Sequence, residues 1–302
     1  MRVFVTGASG HIGSAVVPEL LQAGHQVVGL ARSDRSAAAL GDAGADVRRG
    51  DLDDLDGLRA AAAAADGVIH LAFKHDAMRT GGYLDAVGAD LRAVETIGAA
   101  LEGTGKPFVS TSGTLLLAYG DFGDRPGTEE DVLESGPRID AENTVIALAD
   151  RGVRSSVVRL PPLVHSTLDH QGFGPTLIAI AREQGVAGYP GDGANRWPAG
   201  HTLDAARVYR LALEGAPAGS RLHAVGDEGV RFRDIAGVIG AQLGVPTASI
   251  APEDAEAYFT FLAGFVARDN PTSAALTREL LDWAPARPGL IEDLEQGHYF
   301  EA

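Results

Sequence analysis

Three glycines at three-residue spacing lie in the segment Thr6-Gly7-Ala8-Ser9-Gly10-His11-Ile12-Gly13. A short apolar run precedes this segment, and apolar residues at helical spacing follow it. A strand, a glycine-rich turn and a helix in this order are typical of a dinucleotide site. Gly7 permits the turn, Gly10 lets a pyrophosphate approach bare backbone, and Gly13 lets the helix pack near the sheet. The helix N-terminus offers free N–H groups to the phosphates. A second apolar run at 26–31 follows at the distance of a β-α-β unit, which favours this reading over an ordinary strand–helix turn.

The second predicted strand ends in Ala31-Arg32-Ser33-Asp34-Arg35, without a carboxylate at its tip. In NAD-binding proteins an acidic residue near this point usually bonds the ribose 2′-hydroxyl. A guanidinium beside a serine hydroxyl instead suits the 2′-phosphate of NADP. We therefore predict NADP(H) in preference to NAD(H), with Arg32 and Ser33 at the 2′-phosphate. The alternatives are that Arg32 and Arg35 are ordinary surface charges, or that Asp34 turns toward the ribose.

Composition limits the kinds of partner that the chain can have. The 302 residues, 45% of them hydrophobic, suffice for one large α/β domain with a smaller lobe. The formal net charge of −16 disfavours a nucleic-acid partner. Cysteine is absent, which excludes disulfides and thiolate chemistry, and no apolar run approaches the ~18 residues of a membrane span. No histidine or acidic cluster has the spacing of a metal site. We expect a cytoplasmic protein that binds a small-molecule substrate and neither a membrane nor nucleic acid.

Short β-branched runs alternate with longer amphipathic segments, which predicts a Rossmann-type, doubly wound parallel α/β sheet. The predicted strands are residues 2–6, 26–31, 46–49, 67–72, 107–111, 155–160 and 221–225, and the predicted helices lie near 11–23, 35–43, 55–65, 84–103, 140–151 and 204–215. Pro18 falls inside the first helix and predicts a kink or a loosened first turn.

Two stretches depart from this alternation. Residues 166–200 are rich in glycine and proline, and residues 231–302 have helical patterns at 232–243, 253–266, 273–282 and 289–296. We predict an NADP-binding domain of residues 1–165 plus 201–230. A small, mostly helical C-terminal substrate lobe of residues 166–200 plus 231–302 is expected to cover the carboxyl edge of the sheet.

Several further segments accompany the glycine motif, and together they resemble the extended short-chain dehydrogenase/reductase family, of the NAD-dependent epimerase/dehydratase type. The similar segments are Gly50-Asp51-Leu52, His70-Leu71-Ala72, Val109-Ser110-Thr111-Ser112, Val158-Arg159-Leu160-Pro161-Pro162, His201-Thr202-Leu203-Asp204 and Leu280-Leu281-Asp282-Trp283-Ala284-Pro285. The resemblance implies that Asp51 and Leu52 contact adenine, that Leu71 and Ala72 run along the ribose, and that Pro161 lies beside the nicotinamide. It implies that Ser112 is the active-site serine. The predicted cofactor-binding residues of the glycine turn are Gly7, Ser9, Gly10, His11, Ile12 and Gly13.

The chain departs from this family at its catalytic pair, a tyrosine followed four residues later by a lysine. Neither Lys74 nor Lys106 has a tyrosine at that distance. The family spacing counted back from Arg159 places Arg138 at the lysine position and Glu134 at the tyrosine position. Arg138 suits the anchoring of ribose hydroxyls, although a guanidinium stays charged and transfers no proton at neutral pH. Glu134 acts as an acid only if burial raises its pKa, and a surface carboxylate in the loop 129–134 is the alternative.

The proton donor therefore has to come from elsewhere in the chain. His165 follows the proline turn, and its side chain suits acid–base chemistry, although a structural histidine at a domain junction is the alternative. His201 is likewise either a group for acid–base chemistry or a structural histidine at the domain junction. Tyr119 precedes a glycine, as a pocket tyrosine of the family does, and is expected first to line the pocket. Residues 74–76 are expected to face the cofactor cleft or to form a solvated loop, and an ordered water is a further candidate donor.

These observations predict an NADP(H)-dependent oxidoreductase acting on a small carbonyl or alcohol. Ser112, Arg138, His165 and Tyr119 are the catalytic candidates. The loss of the tyrosine–lysine pair leaves two alternatives: a non-catalytic protein that senses NADP(H), and a non-redox isomerase or dehydratase on the same fold. A homodimer through the helices near 84–103 and 140–151 is also possible, although their apolar positions would equally face the sheet.

Overall fold

The structure is a computed structural model that describes residues 1–75, 81–122 and 125–301. Asp76, one of the residues expected near the cleft, lies outside these ranges. Within them no helix is long and apolar enough to cross a membrane.

Seven parallel strands form the central sheet, in the order β10-β6-β5-β4-β1-β2-β3. They are β1 (Arg2–Thr6), β2 (Gln26–Ala31), β3 (Asp46–Arg49), β4 (Gly67–His70), β5 (Pro107–Gly113), β6 (Arg154–Leu160) and β10 (Ser220–His223). The strand order reverses at β1: the chain adds β2 and β3 on one side of it and then returns to add β4, β5, β6 and β10 on the other. Doubly wound folds bind their ligands in the crevice at such a reversal, here between β1 and β4. This arrangement confirms the predicted fold class.

Helices cover both faces of the sheet. They are α1 (His11–Gln22), α2 (Asp34–Asp42), α3 (Leu55–Ala64), α4 (Tyr83–Leu101), α5 (Ile139–Ala147) and α7 (Thr202–Gly215). Successive side chains of a strand point to opposite faces, so Val3 and Val5 pack with α1 and α7, whereas Phe4 packs with α3 and α4. Pro18 lies inside α1, which nevertheless continues over 12 residues.

Outside the central sheet the structure has two small sheets, formed by strands of the predicted lobe together with β7 and β11 from the segments next to it. One has the order β11-β9-β7, and the other pairs β12 with β8. The strands are β7 (Leu163–His165), β8 (Ala187–Pro190), β9 (Arg196–His201), β11 (Asp227–Arg231) and β12 (Thr247–Ile250); the helices are α6 (Phe173–Gln184), α8 (Phe232–Leu243), α9 (Ala255–Phe259), α10 (Ala275–Leu281) and α11 (Leu290–Glu295). Trp197, Phe232 and Phe259 form the centre of the lobe core.

Sequence patterns missed these strands because each is short and several lie in glycine- and proline-rich sequence. The predicted helix 253–266 is also shorter than expected. It ends as an α-helix at Phe259, because Thr260 has a positive φ of 52° and the chain continues as a 3₁₀ turn. The helix predicted at 140–151 likewise changes to 3₁₀ geometry after Ala147.

Candidate functional site

The glycine turn between β1 and α1 has no room for side chains. Gly7 has a φ of 66°, and a Cβ built on it would lie 2.7 Å from the backbone nitrogen of Ala72. A Cβ on Gly13 would lie 2.2 Å from the carbonyl oxygen of Gly7. Gly10 caps α1 without a side-chain hydrogen bond, so the N–H groups of the first helical turn face the loop. The turn fits a pyrophosphate, as the motif predicted.

A buried polar chain fixes the neighbouring strand end. Asp90 of α4 accepts a hydrogen bond from Nε2 of His70 at 3.1 Å, which leaves Nδ1 to accept from the Thr6 hydroxyl at 2.8 Å. The Thr6 hydroxyl also accepts from the backbone N–H of Ala72 at 3.3 Å, and the N–H of Leu71 donates to the Thr6 carbonyl. The segment of Leu71 and Ala72 is therefore held against the glycine turn, where the cofactor ribose was predicted.

Arg138 lies at the carboxyl edge of the sheet. Its guanidinium donates to the carbonyl of Thr111 on β5 at 3.0 Å and stacks over the ring of Phe73, which follows β4, at 4.2 Å. Its backbone has a φ of 66°, a left-handed conformation that is uncommon for a residue other than glycine. A guanidinium has five N–H donors, and the bond to Thr111 uses one of them. Arg138 is thus placed to bond ribose hydroxyls across the ends of β4 and β5.

A buried ion-pair network fixes the start of α5, the helix that follows Arg138. The carboxylate of Glu142 accepts from Arg159 of β6 at 2.5 Å and from Arg221 of β10 at 2.8 Å. Burial raises the pKa of Glu142, but Arg159, Ser112 and Arg221 outweigh that effect and lower it. Ser112 itself is buried, with no hydrogen bond of normal geometry to its hydroxyl among the described residues. Its side chain therefore lies on the Glu142 side of β5.

Glu134, at the family's tyrosine position, is exposed. The loop around it is held by buried acidic residues. Glu129 accepts from the backbone and hydroxyl of Thr277, and Asp131 accepts from Arg125 and Thr128. The structure therefore favours the surface-carboxylate alternative for Glu134.

Tyr83 and the fully buried Tyr209 lie near Arg138, and Tyr119 lies near Tyr83. Tyr119, at the end of a 3₁₀ turn after β5, is 54% exposed and carries the Arg268 guanidinium 4.6 Å above its ring. Tyr83 is the first residue of α4 and is partly buried. Burial raises the pKa of Tyr83, while the nearby Arg138 cation lowers it and Tyr119 and Asp90 raise it. Tyr83 and Asp90 are seven residues apart and so share one helix face, which places Tyr83 above the strand ends.

Sequence reasoning did not find Tyr83, because it has no motif partner and Arg138 is distant in the chain. Thr111 and Phe73, which hold the Arg138 guanidinium, were not singled out either. The signal that would have found Tyr83 is its place at the start of the helix after β4, at the same sheet edge as Arg138.

His165 belongs to a separate cluster at the junction with the lobe. It is 3% exposed, and its Nδ1 donates to Asp293 of α11 at 2.9 Å. Its Nε2 is buried without a hydrogen-bond partner among the described residues. The ring of His201 lies edge-on at 5.5 Å. The structure thus places His165 in a junction position, three strand residues beyond the proline turn, and does not bring it together with Arg138.

The same cluster reaches the phosphate-binding turn through His11. Nε2 of His11 lies 2.8 Å from the Thr202 hydroxyl, which in turn donates to the carbonyl of His165 at 3.1 Å. Nδ1 of His11 lies 3.6 Å from the carboxylate of Asp169. Burial lowers the pKa of His11 to about 4, helped by His170 and His165. Burial raises the pKa of Asp169 to about 6, against backbone hydrogen bonds from Gly172 and Gln171. Both groups are therefore stabilised in their uncharged forms.

The adenosine end of the predicted site lies at the tips of β2 and β3. Ser33 caps α2, and its hydroxyl accepts from the N–H of Ser36 at 3.1 Å, so the capping of the helix occupies the side chain predicted to meet a 2′-phosphate. Arg32 is exposed beside it. The carboxylate of Asp34 forms an ion pair with Arg49, the last residue of β3.

The remaining predicted cofactor residues lie along the same edge. Asp51 Oδ1 accepts from the backbone N–H groups of Asp53 and Asp54, so its carboxylate stabilises its own turn. Leu52 and Pro161 are buried. No group of three or more histidine and acidic side chains in the described ranges could hold a metal ion.

Comparison with known proteins identifies the family of this chain. Residues 3–224 match the NAD dependent epimerase/dehydratase family. The chain belongs to this family. It is 46% identical over 302 residues to an uncharacterized protein of Schizosaccharomyces pombe, covering 99% of this chain and 100% of that one. It is 27% identical over 260 residues to a 2-alkyl-3-oxoalkanoate reductase of Stenotrophomonas maltophilia, covering 82% of this chain and 77% of the reductase.

Solved structures in this family share the fold. A dTDP-glucose 4,6-dehydratase from Streptomyces venezuelae, with NAD bound, superposes with a TM-score of 0.79 at 21% identity, over 99% of this chain and 96% of that one. A UDP-glucose 4-epimerase from Thermotoga maritima superposes with a TM-score of 0.78 at 18% identity, over 99% and 98%. Together with the family match, these likenesses assign a nicotinamide-dinucleotide-dependent enzyme fold.

Proposed function

We propose that this family member is an NADP(H)-dependent oxidoreductase that interconverts a small carbonyl compound and its alcohol. The observation that carries the proposal is the position of Arg138, whose guanidinium contacts Thr111 at the end of β5 and Phe73 just after β4. This place lets a cation bond the nicotinamide ribose without the family's lysine. The likeness to a bacterial reductase of 3-oxoalkanoates supports carbonyl chemistry.

The residues at the tip of β2 support the choice of NADP. The first carboxylate after β2, that of Asp34, is paired with Arg49, and Arg32 is exposed at the strand end. A 2′-phosphate gains charge-assisted hydrogen bonds from guanidinium groups. Solved structures of similar fold contain NAD. The proposed preference for NADP therefore depends on the residues of this chain and not on those structures.

Bound at this edge, the nicotinamide would supply the hydride. The chain's own groups have to hold the substrate oxygen and provide its proton. A guanidinium is a poor proton donor at neutral pH, so the proposed role of Arg138 is to position the ribose and the substrate. Tyr83 is a partly buried phenol beside Arg138, and Tyr119 lies next to Tyr83, whereas His165 lies in the junction cluster with its Nδ1 committed to Asp293. We therefore propose a phenol at the sheet edge as the proton donor, with an ordered water as the alternative.

Binding and turnover test the proposal separately. Fluorescence titration should show tighter binding of NADPH than of NADH, and Arg32→Ala should reduce that preference. Arg138→Gln should weaken binding of both nucleotides about ten- to a hundredfold, the value of a charge-assisted hydrogen bond. Arg151→Ala is the matched control, because Arg151 pairs with Glu102 on an exposed surface away from the cleft.

Turnover is then followed as NADPH oxidation with a panel of ketones, aldehydes and 3-oxo esters. Oxidation with at least one of them supports the oxidoreductase. Tight NADPH binding without turnover, with unequal affinity for NADP⁺ and NADPH, would favour a redox sensor. Turnover of a substrate without net oxidation of the nucleotide would favour an isomerase or dehydratase.

A further inference from the structure

Arg49 ends β3 directly beside the end of β2. In the parallel register Arg49 pairs with Ala31, and the N–H of Gly50 donates to the Ala31 carbonyl at 3.2 Å. The next residue after Ala31 is Arg32. Two arginines therefore lie at the carboxyl ends of neighbouring strands, on either side of the place where the adenosine ribose of a dinucleotide is bound in such folds.

Asp34 lies between them as the first residue of α2. The reciprocal hydrogen bonds between Ser33 and Ser36 fix the backbone at this helix start. Asp34 is the one carboxylate in the sequence from 31 to 36, and its side chain forms an ion pair with the Arg49 guanidinium. The neighbouring carboxylate of Asp51 is held within its own turn. Asp34 is thus the acidic group closest in sequence to the place where NAD-binding proteins bond the 2′-hydroxyl.

The ion pair is open to solvent. The Asp34 side chain is 97% exposed and that of Arg49 is 52% exposed. Exposed ion pairs contribute little to stability and exchange partners readily. A pair with these exposures contributes little to the stability of the fold. Its importance is that it sets whether a carboxylate or a guanidinium faces a ligand at the tip of β2.

We propose that Arg49 is a cofactor-specificity residue, which holds the Asp34 carboxylate away from the ribose and supplies a second guanidinium to the 2′-phosphate of NADP. The inference rests on the proposed preference for NADP. It attributes part of that preference to a residue of β3, in addition to Arg32 at the tip of β2. Without Arg49, Asp34 is released to accept from the 2′-hydroxyl of NAD and repels a 2′-phosphate. A single substitution on β3 then lowers the affinity for NADPH relative to the affinity for NADH.

The test measures dissociation constants of NADPH and NADH by fluorescence titration, and those of 2′,5′-ADP and 5′-AMP by competition. Arg49→Ala should weaken NADPH and 2′,5′-ADP about ten- to a hundredfold, with NADH and 5′-AMP unchanged or tighter. Asp34→Asn in the Arg49→Ala background should restore part of the lost NADPH affinity, because the repelling carboxylate is gone. Asp34→Asn alone should leave NADPH binding unchanged or tighter.

Arg59→Ala is the matched control. Arg59 pairs with Asp56 on α3 with side-chain exposures of 54% and 95%, close to those of Arg49 and Asp34, and its removal should leave all four constants unchanged. Equal weakening of NADPH and NADH by Arg49→Ala, or no change in either, would overturn the inference. If the unaltered protein prefers NADPH and Arg32→Ala removes that preference, the proposed function stands even then. If the unaltered protein shows no preference, the choice of NADP fails and the inference with it.

Discussion

The pKa of Asp169 gives a quantitative test of the buried cluster in which Asp169 lies against His11 of the glycine turn. Burial raises the pKa of this carboxyl from 3.8 to about 6, while its oxygen accepts from the Gly172 N–H at 2.8 Å. A pKa higher in the folded than in the unfolded chain means that the protonated form is favoured by folding. This contribution to stability is present in full below about pH 4 and is lost as the pH rises through about 6. The rise in pKa corresponds to about 3 kcal/mol of unfolding free energy.

The perturbation is Asp169→Asn, which keeps the shape and an oxygen acceptor for Gly172 but cannot ionise. The unfolding free energy of the variant, relative to the unaltered protein, should increase by about 2 kcal/mol between pH 4.5 and pH 7.5, because at pH 4.5 most of the unfolded chains already carry the ionised carboxylate. Contributions that do not depend on pH cancel in this comparison. The comparison with the unaltered protein is necessary because His11 also changes stability over this pH range. Its pKa, lowered to about 4, gives stability that is present above pH 6.5 and lost as the pH falls, so the two groups offset each other in the unaltered protein.

The assay is urea unfolding at several pH values, followed by circular dichroism and by tryptophan fluorescence. Trp197 and Trp283 are both buried, in the lobe core and the main core, so coincident transitions would establish that both parts unfold together. A difference in unfolding free energy that does not change with pH would refute the reasoning. It would mean that the carboxylate of Asp169 is solvated in the folded protein.

Three further substitutions test other parts of the account. Gly7→Ala should destabilise the fold by more than the about 1–2 kcal/mol of its left-handed backbone, because the new Cβ also displaces the backbone of Leu71 and Ala72, and it should abolish tight NADPH binding. Gly24→Ala, at a φ of 82° with open space around it, should cost only about 1–2 kcal/mol in urea unfolding and leave NADPH binding unchanged. Glu142→Gln should lower the unfolding free energy by about 3 kcal/mol or more, since it leaves buried guanidinium groups without their carboxylate; a loss below 1 kcal/mol would show that the network is solvated. Tyr83→Phe should reduce kcat for NADPH-dependent carbonyl reduction about 10²–10⁴-fold with unchanged nucleotide binding, and an equal or larger loss in Tyr119→Phe would assign the proton to that phenol instead.

The backbone of the glycine turn could be predicted in detail because the constraints on it are local. Gly7 and Gly13 are needed for backbone reasons that act within a few residues, and the spacing alone reveals them. Arg138 was singled out by the family spacing counted back from Arg159. The structure places it at the carboxyl edge of the sheet, where it contacts Thr111 and Phe73; its role at the ribose stays a prediction.

Contacts between distant segments were beyond sequence reasoning. His165 and Asp293 are 128 residues apart, and no pattern in either segment indicates the pairing. Tyr83 likewise meets Arg138 only because the helices they begin pack side by side. Ser33 was assigned to the cofactor by residue type, but helix capping, which is a local effect, occupies its hydroxyl.

The central claim is that Arg138 takes over the ribose-anchoring role at a dinucleotide site. A crystal structure of the protein with NADPH tests it most directly. The account predicts the pyrophosphate at the N-terminus of α1 and the Arg138 guanidinium within hydrogen-bond distance of the nicotinamide ribose hydroxyls. A bound NADPH whose ribose is held by other side chains, with Arg138 still confined to Thr111 and Phe73, would contradict it.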